Sequence, residues 1–566
     1  MIGAILWSWG AEVLAWWKTS GIRWMIGILS GLVLLCTWSM GMEAQIFWPR
    51  TGSPALPDAS EPQRTLSLNS FCQQSPAEIA RKTELRQQAN QSDSAWADYT
   101  QILADHRAAL IACRSQRWPQ IQAIWVRLHP CDAHPGVLDQ VFDQVVNLGY
   151  NRVFIETFYD GRSILPEGGA WPSIQPNADL LDLALKAARQ RGLSAYAWVF
   201  SLNFGYSYGQ RPDRQVALAR NGRGITTVLD PATAHLEDLG SPDEVFVDPF
   251  HPLARQDFAE LMGRLLQRRP DGILFDYIRY PRGSGGSSVA ATVKDLWIHG
   301  EAARQAYLDR AENPAGRALL ERYLAQGYVT VGDVLQLDER YGEEPKWHWP
   351  GEPEPNPAGI PELELALSPE LWDEEAPLMG LDSEIQMDFP PPKDVDPTPT
   401  PTPNAAIRQE RWQNELWAFS TDFARYGILD YLNQAAQPAQ ALGIPTGAVF
   451  FPDGNQAVRG KGFDARLQPW DRFDPTMEWH PMAYAKCEDA SCVAQQVEQV
   501  LTMASPQTFV CPAIAGLWGQ PQRQRPALEV QMGELARRFP QLPCVSHFAL
   551  SWIEPELERS RRACQL

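Results

Sequence analysis

The chain has 566 residues, 44% of them hydrophobic and 21% charged. This is ordinary globular composition, long enough for several domains or for one large barrel with insertions, and it excludes collagen-like, coiled-coil and wholly disordered chains. With 49 Lys and Arg against 68 Asp and Glu, a net charge of -19, no nucleic-acid partner is expected, because phosphate neutralisation needs clustered cations.

The N-terminus bears on the compartment. Trp24 to Met42 is a run of 19 uncharged residues. As a helix it would extend roughly 28 Å, about one hydrocarbon core. Lys18 and Arg23 precede it and Glu43 follows, so the positive-inside bias puts the short leader in the cytoplasm and the rest outside. Residues 1–44 therefore read as a membrane anchor. The rival reading is a cleaved signal segment ending near Ser39-Met40-Gly41, which exports the chain equally. Nine cysteines suit an oxidising compartment. Cys36 lies in the apolar run and the other eight invite disulfides, with Cys487 and Cys492 spaced for a local bridge and Cys72 and Cys113 flanking a helical pair.

Residues 45–70 are rich in Pro, Ser and Thr and read as a stalk, and 75–115 have the apolar spacing of a helical hairpin, together the segment 45–119. From residue 120 strands alternate with helices. The expected strands are Ala123–Val126, Asn151–Glu156, Leu193–Phe200 and Asp271–Asp276, and Arg191-Gly192 ends the helix before the third. After this first half, 120–282, the pattern breaks into an insertion, 283–404. Its first part is helical. Residues 345–403 then hold 15 prolines, and the stretch 338–397 holds 17 acids against 3 bases, the composition of a solvated, disordered or polyproline-like loop. The rhythm resumes over 405–566 with a helix Arg408–Gln437 and strands Thr446–Phe451, Trp479–Tyr484, Thr508–Ala513 and Val545–Ser551. Four strands on each side of the insertion predict a (β/α)8 barrel of the α/β class. A doubly wound open sheet is the alternative, but no Gly-x-Gly-x-x-Gly follows the first strand. No cofactor is expected. Neither Cys-x-x-Cys nor His-Glu-x-x-His occurs, so no metal site is expected either.

In such a barrel the C-terminal strand ends and the loops after them form the active face. Carboxylates and aromatics gather there: Glu156, Trp198, Asn203, Asp276, Tyr277, Arg279, Asp453, His480, Tyr484 and Trp552. Sugars call for both, aromatic faces for pyranose C–H surfaces and carboxylates for work at the anomeric carbon. Asp276 closes the fourth strand and is the expected catalytic carboxylate, held ionised by Arg127 or Arg279, with Glu156 or Asp453 as its partner. Trp198, Asn203, Tyr277, Arg279, His480, Tyr484 and Trp552 are the expected substrate contacts. Each also has a structural reading. Glu156 can support Arg127, Asp248 can cap a helix, Asp453 can serve a Pro-Asp-Gly turn and His480 can be a hydrogen-bonded barrel histidine.

Several segments resemble the family 10-like glycosyl hydrolases, extracytoplasmic barrel proteins of bacteria. They are Asn151–Thr157 with its Tyr-Asp-Gly turn, Arg191-Gly192-Leu193 with Ala197-Trp198, Val247-Asp248-Pro249 with His251-Pro252, Asp271-Gly272-Ile273 with Phe275–Pro281, and Pro481–Tyr484. The resemblance spans about residues 120–556 without the insertion. It implies a barrel that hydrolyses glycosidic bonds in an envelope or extracellular polysaccharide, for some relatives the glycan strands of peptidoglycan. Where many relatives carry Gln and then Gly-Asp on the second strand, this chain has Glu156 and Gly161-Arg162. The alternative is a catalytically inactive glycan-binding scaffold on the same barrel. A second carboxylate facing Asp276 discriminates between the two.

Overall fold

A computed structural model describes residues 71–89, 92–228, 244–351, 403–458 and 460–565. The apolar run Trp24–Met42, the stalk 45–70 and most of the Pro-rich insertion lie outside the described residues. Among the described residues, no helix is long and apolar enough to cross a membrane.

Eight parallel strands form the barrel: β1 Ile121–Arg127, β2 Arg152–Tyr159, β3 Ser194–Phe200, β4 Gly272–Asp276, β5 Thr446–Phe450, β6 Glu478–Pro481, β7 Ala513–Ala515 and β8 Cys544–Phe548. They are hydrogen-bonded in the order β6-β5-β4-β3-β2-β1-β8-β7. Two isolated parallel bridges, Trp479 with Val510 and Met482 with Ala513, bring β6 to β7 and nearly close the ring. The expected four-plus-four division around the insertion is thus observed. Two boundaries differ. The seventh strand begins at Ala513, because Pro512 has no N–H to add to a ladder. The eighth ends at Phe548, and Leu550–Ile553 is helical.

The helices around the ring carry the apolar stripes seen in the sequence. Val137–Asn147 (α3) and Leu180–Gln190 (α4) bury Val141, Val145, Leu181 and Leu185 against the sheet. Asp179 caps α4, its carboxylate accepting from Asp182 N at 3.0 Å. Gly192 follows α4 in the left-handed region at φ +70°, as the Arg-Gly pair predicts. Pro252–Leu266 (α5) follows β3. After β4 come Glu301–Leu308 (α6), Pro314–Gln326 (α7), Val331–Tyr341 (α8) and the long Pro403–Ala441 (α9). No helix longer than a 3-10 turn lies between β5 and β6, where Trp470–Arg472 supplies that turn. Ser491–Met503 (α10), Leu528–Arg538 (α11) and Pro555–Arg562 (α12) complete the ring.

The predicted hairpin is Pro76–Ala89 (α1) and Asp93–Gln116 (α2), held to the barrel at Asp143 of α3. Asp143 is buried and accepts from Arg86 at 2.7 Å, Tyr99 at 2.9 Å and Arg191 at 2.8 Å. A buried carboxylate needs such partners to offset its desolvation. All eight cysteines of the described residues are paired, Cys72–Cys113, Cys131–Cys564, Cys487–Cys492 and Cys511–Cys544. The first and third are the pairs that the sequence spacing suggested.

Candidate active site

Side chains fill the barrel in layers that climb toward the C-terminal strand ends. At the bottom Glu478 pairs with Arg152 at 3.0 Å, accepts the Tyr196 hydroxyl at 2.8 Å and contacts His480 at 3.2 Å. Above it Phe154 meets Trp125, and Trp125 meets Trp198 edge-on with centroids 4.8 Å apart. Over Trp198 a cavity of about 310 Å³ opens, within the usual size of small-ligand sites. Its lining includes Arg127, Trp198, Asn203, Asp276, Tyr277, Arg279 and Tyr484, together with Glu244 from the loop between β3 and α5.

Asp276 ends β4, where the strand opens onto the cavity. Its carboxylate accepts from Tyr277 N at 2.6 Å and from Trp198 Nε1 at 3.1 Å. Burial pushes its pKa up to about 6, against these hydrogen bonds and the Arg279 charge, and the Glu244 charge adds to the rise. Of the two arginines expected to keep Asp276 ionised, Arg279 does lower its pKa, but burial outweighs it. Arg127 forms a bidentate pair with Glu156, at 2.5 and 2.9 Å, and Arg279 forms its ion pair with Glu244 at 3.7 Å.

Glu244 is the second carboxylate at the cavity. It accepts the Tyr277 hydroxyl at 3.1 Å, so one tyrosine holds Asp276 by its backbone N–H and Glu244 by its phenol. Tyr277 has φ +54°, a left-handed conformation that side-chain-bearing residues rarely adopt. Asn203 fixes the loop from below, its Oδ1 accepting from Val245 N at 3.0 Å. Arg279 packs over the Tyr277 ring at 4.6 Å. Burial first, and then the Glu244 charge, raise the Tyr277 phenol, so it stays a hydrogen-bond donor.

Six of the ten expected residues line the cavity: Asp276, Trp198, Asn203, Tyr277, Arg279 and Tyr484. The other four lie elsewhere. Glu156 is buried at the inner end of the Arg127 pair, where burial raises its pKa against the pull of Arg127. Asp453 is half exposed in its turn and pairs with Arg466 at 3.0 Å. His480 is fully buried one layer down against Glu478, because it stands two residues before the cavity-lining Met482 on the same strand face. Trp552 packs on Phe548 at the rim, with centroids 5.8 Å apart. Asp248 does not cap α5, where His251 accepts from Leu253 N; it accepts instead from Phe250 N and Ala303 N, tying the loop to α6. Among the described residues, no group of three or more His, Cys, Asp or Glu could hold a metal ion.

No protein-family model matches the chain, and no curated protein does. Solved structures similar to it include the GH20 exo-β-N-acetylglucosaminidase of Vibrio harveyi, at 9% identity and a TM-score of 0.37, covering 81% of this chain and 59% of that one. A tandem GH20 catalytic module of the pneumococcal exo-β-D-N-acetylglucosaminidase is similar at 10% identity and a TM-score of 0.34, covering 80% and 85%. A hypothetical protein of Ruminiclostridium thermocellum ATCC 27405 is similar over 28% of this chain and 78% of its own, at 15% identity and a TM-score of 0.22. The first two are glycoside hydrolases; the narrower family 10-like resemblance is not shown by these matches. At such values they assign neither a residue nor a reaction to this chain.

Proposed function

We propose that the chain is an exported glycoside hydrolase acting on an envelope or extracellular polysaccharide, the glycan strands of peptidoglycan being the first candidate. The observation that carries this reading is the pair Asp276 and Glu244, two carboxylates in different environments at one aromatic-lined cavity. Glycosidic hydrolysis needs one carboxyl protonated near neutral pH and another ionised. Burial gives Asp276 the first role, with a pKa of about 6. Glu244, paired with Arg279 at 3.7 Å, is the partner carboxylate.

In this reading Asp276 gives its proton to the glycosidic oxygen as the C–O bond breaks, and Glu244 faces the positive charge that develops at the anomeric carbon. Water supplies hydroxide to that carbon and returns a proton to the carboxylate pair. Trp198, Phe200 and Tyr484 exclude bulk water and offer surfaces for the sugar ring. The Trp24–Met42 run anchors or exports the chain, and four disulfides suit the compartment it reaches.

Digestion of purified peptidoglycan, with and without its peptide stems, followed by mass analysis of the released ends, tests the proposal. New reducing ends support it. Binding without any cleavage supports the glycan-binding scaffold instead.

A further inference from the structure

The cavity wall made by Tyr484 and Phe548 continues onto a rim that the hydrolysis step does not use. Trp552 packs edge-on against Phe548, and the Arg523 guanidinium lies over the Trp552 ring at 5.8 Å. Arg525 donates from Nε and Nη2 to the Tyr484 carbonyl at 3.2 and 2.7 Å. Both arginines stand on one tight turn between β7 and α11. Two backbone hydrogen bonds between Gln522 and Arg525, each 2.9 Å, close that turn. Arg523 and Gln524 take left-handed φ of +49° and +62° within it. The turn thus presents two cations beside the cavity mouth on a fixed backbone.

Charge makes this arrangement informative. The chain carries a net -19, and the two other arginines at the cavity each have a carboxylate, Glu156 for Arg127 and Glu244 for Arg279. Among the described residues, Arg523 and Arg525 form no ion pair; their side-chain contacts are a ring and a carbonyl. The two stand two residues apart on this turn and repel; burial lowers the Arg525 pKa, Tyr484 opposes that, and the Arg523 charge adds a smaller lowering. A bound carboxylate would relieve that repulsion and accept charge-assisted hydrogen bonds, for which a planar guanidinium is well shaped.

We infer that Arg523, Arg525 and Trp552 form a subsite for an acidic sugar, a pyranose bearing a carboxylate, next to the ring whose bond is cleaved. The inference rests on the glycoside hydrolase reading of the cavity. The two arginines take the carboxylate and Trp552 packs against the apolar face of the ring.

The test uses the full-length Asp276→Asn protein, which binds glycan without consuming it. The probes are stem-free peptidoglycan strands, whose lactyl carboxylates are free, and the same strands after carbodiimide coupling to methylamine. The acidic strands are expected to bind about tenfold more tightly, with a preference that weakens as salt rises. The double variant R523Q/R525Q should bind both forms equally at an unchanged melting temperature, and Trp552→Ala should weaken both. Equal affinity for the two strands, or a preference that survives R523Q/R525Q, would overturn the inference. Turnover by the unsubstituted protein separates the two readings. Cleavage of both strands at equal kcat/KM removes the subsite and leaves the hydrolase. A binding preference without any cleavage removes the hydrolase and leaves the subsite as a feature of a binding protein.

Discussion

Trp198 Nε1 donates to Asp276 Oδ2 at 3.1 Å, from the strand next to the one that carries the carboxylate. The indole both hydrogen-bonds the carboxyl and helps to bury it. Burial is the larger effect, since the pKa is pushed up to about 6. A carboxyl that folding drives toward its protonated form costs stability wherever the solution keeps it ionised.

That cost is measurable. Unfolded, the carboxyl has its ordinary value near 3.8; folded, it titrates near 6. The folded state therefore binds more protons between these values, and stability falls as pH rises through them. Above pH 6 the loss levels off at about 3 kcal/mol, taking roughly 1.4 kcal/mol per unit. Asp276→Asn should stabilise the protein by up to about that amount at pH 8 and by little at pH 4. Urea unfolding at the two pH values checks this. An Asn variant that is less stable at pH 8 would show that the ionised carboxylate has partners worth more than its burial.

The same titration should appear in turnover. If Asp276 is the proton donor, kcat/KM for glycan cleavage falls as pH rises through about 6, because the donor form is lost. A rate that rises through this range would give Asp276 the part of base or nucleophile.

Glu156 is expected to matter for the fold rather than for the reaction. Its two oxygens are taken by Arg127. Glu156→Gln should change stability by no more than about 1 kcal/mol, since it takes the charge partner from a partly exposed Arg127 but also removes a buried carboxylate whose pKa folding raises. Cleavage per folded molecule should stay within about tenfold of the unsubstituted protein, less than about 1.4 kcal/mol of barrier. Thermal melts and initial rates on one preparation separate the two effects.

Asp143→Asn should loosen the hairpin. It weakens the pairs with Arg86 and Arg191, leaving Arg86 without a carboxylate and Arg191 with Asp139 alone, at about 2 kcal/mol or more. Limited proteolysis between α1 and α2 should speed up, while the Cys72–Cys113 bridge keeps the fragments joined until reduction.

Much of the barrel was legible because its signals are local. Strand and helix periods differ, and a residue such as Asp276 shows its place by ending a strand. His480 shows what a finer reading of the same pattern yields: with Met482 at the mouth and a period of two, His480 must sit one layer lower. Glu244 shows where local reading runs out. It lies 32 residues before Asp276 in sequence, in an irregular loop with no strand or turn signature of its own. Its place depends on single bridges, Asn203 with Phe246 and Leu218 with Val247, which are tertiary. The short apolar run Val245-Phe246-Val247 between Glu244 and Asp248 is the one hint, and it suits extended backbone without saying what that backbone faces. Asp453 drew notice as a carboxylate after a strand, yet the Pro-Asp-Gly turn directs it to Arg466.

The most direct measurement is the initial rate of glycan cleavage by Glu244→Gln, read beside Glu156→Gln and the unsubstituted protein at pH 5.5. The expected result is that Glu244→Gln still folds, with a melting temperature lowered by a few degrees for the lost Arg279 pair, keeps its glycan affinity and loses at least about a thousandfold in rate, some 4 kcal/mol of barrier, while Glu156→Gln cleaves. A Glu244→Gln protein that cleaves at the unsubstituted rate would contradict it.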